Sequence, residues 1–136
     1  MKTNVKVIPR EELIIRESMK LAYCGGEIWF EQLDSLSVYK DIVIEKFTKD
    51  MEYMKRPSYP AFIAVNLCNT LLDLEIAELI IKGLTGIERV ILKLVFVGLC
   101  KADKKQIKSL LKEHRHTFVY AFIDDYEKAK EWLILA

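Results

Sequence analysis

The 136-residue sequence predicts an α/β fold, one single-layer, mostly parallel or mixed sheet of four to five strands carrying about four helices. Three observations carry that prediction. Short apolar runs at residues 61–65, 90–97 and 117–123 have strand length and β-branched or aromatic character. Between and after them, apolar residues recur at helical spacing. Ser, Thr or Asp stands at each helical start, and Gly or Pro follows the first two ends.

The elements follow in order. Val5-Lys6-Val7-Ile8 partly alternates and stops at Pro9, which predicts a short strand. Leu13-Ile14-Ile15 is its expected hairpin partner. Residues 21–30 hold Gly25-Gly26 among aromatic and β-branched residues, as a turn or an irregular strand would. Val38, Ile42, Val43, Phe47, Met51 and Met54 then mark one stripe of a long helix. Ser35 or Ser37 is its expected cap, and Pro57 and Pro60 its end. After the strand at 61–65, Thr70 and Asp73 have capping-box spacing ahead of a stripe at Leu72, Ile76, Leu79, Ile80 and Leu84. Gly83 and Gly86 offer that helix an end.

Residues 90–97 are apolar except Lys93, the pattern of a central strand covered on both faces, and Gly98 stops the run. Asp103 is the expected cap of a helix bearing Ile107, Leu110 and Leu111. The strand at 117–123 precedes Asp124 and Glu127, a further capping box, and a face of Ala129, Trp132 and Leu133.

Residues 1–136 are expected to form a single domain, since neither a linker nor a repeat interrupts them. The formal net charge of +1 supplies no field that would gather nucleic acid. No apolar stretch reaches the roughly 20 residues of a membrane span, and no signal-peptide core follows Met1. A cytoplasmic protein is the expectation. Cys24, Cys68 and Cys100 form neither a Cys-x-x-Cys nor an even framework, so no disulfide, metal or cofactor is expected.

Candidate chemistry is sparse. Gly98-Leu99-Cys100-Lys101 lies where a phosphate loop could, but lacks Gly-x-Gly-x-x-Gly and Gly-Lys-Ser/Thr. The Lys-rich stretch at 101–116 lacks the interleaved aromatics of a nucleic-acid face and reads as the solvated side of a helix. No Gly-x-Ser-x-Gly elbow is present, and His114 and His116 would point to opposite faces of a strand. No catalytic residue is assigned.

The element order, with "FIAVNLCNTLLDLEIAELI" (62–80), "KLVFVGL" (93–99) and "FIDDYEKAKEWL" (122–133), resembles the STAS superfamily, and within it the small SpoIIAA-like proteins. Its namesake members are bacterial anti-sigma-factor antagonists. The resemblance implies a regulatory protein-interaction module. Signalling members carry Asp-Ser/Thr-Ser/Thr-Gly at the helix start after the central strand, where a kinase phosphorylates the hydroxyl. Here Asp73 takes the acid's place, but Leu74, Glu75 and Ile76 follow, so the phosphoacceptor is missing. The expected partner-binding loop is Asn66, Cys68, Asn69, Thr70 and Asp73, with Thr70 as helix cap. Relatives of the SpoIIAA-like branch imply an alternative, a small apolar ligand held by Tyr23, Trp29, Phe30, Met51 and Met54. A protein partner is expected, nucleic acid is not, and a homodimer is left open.

Overall fold

The computed structural model describes residues 5–24, 26–55 and 61–135. Gly25, Pro57 and Pro60, which the sequence offers as turn and helix end, lie outside them. Five strands form one sheet in chain order: β1 (Met19–Tyr23), β2 (Gly26–Gln32), β3 (Ala61–Asn66), β4 (Ile91–Val97) and β5 (Val119–Phe122). β1 and β2 pair antiparallel, and every later pair is parallel. Four helices alternate with the later strands: α1 (Lys40–Met54), α2 (Leu74–Gly86), α3 (Lys101–Glu113) and α4 (Tyr126–Ile134). The expected fold class is the observed one, and residues 61–65 and 90–97 contribute two of the three strands inside the sheet.

The sheet separates two cores, because successive side chains on a strand point to opposite faces. One face packs Ile63, Val65, Leu94 and Phe96 against Phe47 of α1, Ile76, Ile80 and Ile81 of α2, and Ile107 and Leu111 of α3. The other sets Ile28, Phe30, Ala64, Val95 and Val97 against Ala129 and Leu133 of α4. At about 25 cal/mol per Å² of apolar surface, each buried Val, Leu, Ile or Phe among them contributes roughly 1.5–3 kcal/mol. From Leu94 to Val97 β4 is apolar and buried because both its faces are covered there.

Several local expectations are corrected. Residues 5–8 and 13–15 form no strand; between them lies a 3₁₀ turn at Arg10–Glu12. The hairpin is instead β1–β2, so the ambiguous stretch 21–30 spans its turn, with Cys24 at φ 46°. Alternation at 5–8 misleads because the backbone groups of Lys6 and Ile8 bond to side chains. Ser35 and Ser37 do not cap α1; its cap residue is Tyr39, whose side chain makes no capping bond, and Val38 precedes the helix exposed. Thr70 does not cap α2, since Asp73 is the cap residue and accepts from the Ile76 amide at 2.9 Å. Cys100, not Asp103, stands at the α3 cap position. Asp125 caps α4 by accepting from Lys128 N at 3.1 Å, while Asp124 accepts from Gly98 N. Gly83 lies within α2 and does not end it; a Cβ there would come 2.9 Å from Phe47 Cε2, so it lets α1 approach closely.

Candidate functional site

The carboxyl ends of β2, β3 and β4 bring the predicted loop against two other segments. Past β2, the chain keeps pairing with the loop: Leu33 N donates to Asn66 O, Ser35 N to Cys68 O and Ser37 N to Asn69 O. Ser35, Ser37 and Asn69 have φ of 59°, 55° and 54°. Left-handed backbone costs a non-glycine residue about 1–2 kcal/mol, so three together need surroundings that hold them.

The hydrogen bonds supply that hold. Thr70, 3% exposed, donates its hydroxyl to Leu33 O at 2.5 Å and accepts from Leu36 N at 3.1 Å. It staples the two segments together. Asn66 Oδ1 accepts from Cys68 N at 3.1 Å, an Asx-type turn, and its Nδ2 faces Gln32 Oε1 at 3.4 Å. Gly98, at φ 87°, abuts Cys68; any Cβ there would collide with the Cys68 sulfur. Burial, with Asp34 and Asp124 nearby, pushes the Cys68 thiol up, which disfavours the thiolate a nucleophile needs.

Asn69 is the loop residue that reaches the segment before β1. Its Oδ1 accepts from Lys6 N at 2.6 Å and its Nδ2 donates to Lys6 O at 3.4 Å. Beside it, Ser37 Oγ accepts from Ile8 N at 3.1 Å and donates to Lys6 O at 2.9 Å. Tyr39 donates its hydroxyl to Ile8 O at 2.6 Å. Val5, Leu67, Asn69, Thr70, Gly98, Cys100 and Asp103 line a recess of about 250 Å³.

Next to the loop, the starts of α1 and α2 meet. Lys40 Nζ pairs with Asp73 Oδ2 at 2.9 Å and Glu75 Oε1 at 2.6 Å. Those two carboxylates raise the Lys40 ammonium above its ordinary pKa. On the same two helix starts Val38 and Leu74 are 39% and 55% exposed.

The five residues expected to form an apolar pocket are not brought together. Phe30 and Tyr23 pack on the α4 side of the sheet, whereas Trp29, Met51 and Met54 pack on the α1 side. Of the five, Trp29 lines a cavity of about 440 Å³ with Ser18, Lys46, Lys49, Asp50 and Tyr53. Its ring stacks on Tyr53 at 6.1 Å. The polar residues here were not singled out by the sequence. Ser18 Oγ accepts from Gln32 N and from Lys46 Nζ and donates to Asp50 Oδ2 at 2.8 Å. Lys46 and Asp50 form an ion pair of 2.9 Å, the i,i+4 spacing that was legible on α1.

Behind that pair sits Glu31, fully buried. Its Oε1 accepts from Trp29 Nε1 at 2.9 Å, and its other oxygen finds no donor among the described residues. Burial, then the Asp50 carboxylate, pushes Glu31 up to about 9. The group is therefore a neutral acid at pH 7. No group of His, Cys, Asp and Glu able to hold a metal occurs among the described residues.

No protein-family model, curated protein or solved structure matches the chain. None of its described helices is long and apolar enough to cross a membrane.

Proposed function

We propose that the chain is a non-enzymatic, cytoplasmic regulatory module that binds a protein partner, of the STAS type but without a phosphoacceptor hydroxyl. The carrying observation is the patch at the paired starts of α1 and α2. Exposed Val38 and Leu74 there flank the Lys40–Asp73–Glu75 ion pairs. Exposed apolar side chains next to polar groups are the make-up of a protein interface. The positions where signalling relatives carry their hydroxyls hold Leu74 and Glu75, and the nearby Thr70 hydroxyl is buried and bonded. The resemblance to SpoIIAA-like proteins supports the same reading.

The test is chemical cross-linking in the protein's own host, followed by mass spectrometry, for wild type and Leu74→Arg. A partner cross-linked to the α2 start in wild type and lost in the variant, at unchanged Tm, is the expected result. Equal cross-linking in both rejects the patch.

The cavity beside Trp29 favours a second reading, a small ligand with an apolar body and a polar end. Its volume falls in the range of small-molecule sites. Native mass spectrometry of host-purified protein would show a retained molecule.

A further inference from the structure

The segment that precedes β1 lies against the loop in an unusual way. Both backbone groups of Lys6 and both of Ile8 are bonded, and every partner is a side chain: Asn69, Ser37 or Tyr39. Alternate residues of an extended chain turn their N–H and C=O to one side, and the three side chains meet them there. Lys6 is exposed, so the protein grips its backbone at this position. The side-chain reading is confined to Val5, over the recess, and to partly buried Ile8.

We propose that Asn69, Ser37 and Tyr39 form a binding site for an extended peptide segment of a partner protein. Residues 5–8 occupy that site from within the chain until the partner displaces them. The site supplies donors and acceptors at the spacing an added β-strand uses, but from side chains. The partner segment needs free N–H groups at two alternate positions and a small apolar residue in the place of Val5. Two features equip the arm for release. At Lys6 and Ile8 it is held by side chains, and its bonds there are ones that any extended segment of that description reproduces. The inference rests on reading this end of the sheet as an interaction surface.

The probe is an acetylated peptide with the sequence of residues 5–10, titrated into ¹⁵N-labelled full-length protein. Wild type is compared with Lys6→Pro/Ile8→Pro, which deletes both arm donors and leaves Asn69, Ser37 and Tyr39 intact. A tethered arm competes at millimolar effective concentration. The expected result is that the Asn69 side-chain amide signals of the variant shift at a peptide concentration at least about tenfold lower than in wild type. Equal titration of the two proteins, or no shift at Asn69 in the variant, overturns the proposal. So does a concentration-dependent wild-type dimer that the double substitution abolishes, because it would show the arm passing between copies. Loss of the Leu74 patch leaves this result standing, since Leu74 is not among the arm's partners.

Discussion

Glu31 of β2 and Asp50 of α1 place two carboxyl groups in hydrogen-bond contact across the sheet–helix interface, with the proton on Glu31. Burial works against ionising either group. Asp50 nevertheless ends below its ordinary value because Glu31, Lys46 and Ser18 all bond to it.

This pair makes stability fall as pH rises. The folded pKa of Glu31, about 9, lies above its ordinary 4.5. Below pH 4.5 both states are protonated and the group costs nothing. Between there and about 9 the unfolded chain ionises while the folded chain keeps its proton, so stability declines by up to about 1.4 kcal/mol per pH unit. Glu31→Gln retains an acceptor for Trp29 and a donor for Asp50 and should remove that decline. Urea denaturation at pH 5, 6, 7 and 8 checks it: parallel trends for the two proteins would place the proton elsewhere.

Thr70→Val should cost about 1–3 kcal/mol, because Leu33 O and Leu36 N would lose their partner inside the protein. Thr70→Ser keeps the hydroxyl and should cost less. Calorimetric Tm values for both variants decide it; a Val variant as stable as wild type would contradict the staple. For the same reason, anti-sigma-type kinases should add no phosphate at Thr70. One phosphate mapped there by intact-mass and peptide analysis would refute this.

Asn69→Ala and Asn69→Gly should separate backbone strain from arm binding. Both lose the grip on Lys6, so its amide should exchange rapidly with solvent in either variant. Only Ala also carries the left-handed cost of about 1–2 kcal/mol at φ 54°. Hydrogen exchange at the Lys6 amide, read beside Tm, checks both parts. An amide that stays protected in both variants would rule out the side chain as its anchor.

Val95→Asp should destabilise by several kcal/mol, since Val95 is 0% exposed under α4 and offers a carboxylate no partner. A thermal shift of only a degree or two would argue against that burial.

The sequence disclosed the later half of the fold more readily than its beginning. At 61–134 the apolar period changes cleanly between strand and helix, and capping acids sit within a residue or two of the helix starts. The beginning misleads because Val5, Val7, Ile14 and Ile15 have strand chemistry but no ladder, with Val7, Ile14 and Ile15 exposed. β1 escaped notice since it is only five residues long and its first four are exposed. At the candidate site, the sequence located the loop but misassigned Thr70, whose bonds run to residues distant in the chain. Glu31 and Asp50 look like ordinary surface acids in isolation. The alternation of Trp29 with Glu31 in β2 was the one available hint that an acid pointed inward.

The one-by-one strand order has a consequence for how the chain emerges during synthesis. Each new strand pairs with the strand made just before it, so the sheet can be wound up in step with the ribosome. The three helices that cover one face arrive along the way. The opposite face, with Ile28, Phe30, Ala64, Val95 and Val97, stays bare until residues 126–134 have left the exit tunnel. A nascent chain stalled before that point would present a greasy sheet surface, the kind of substrate chaperones hold.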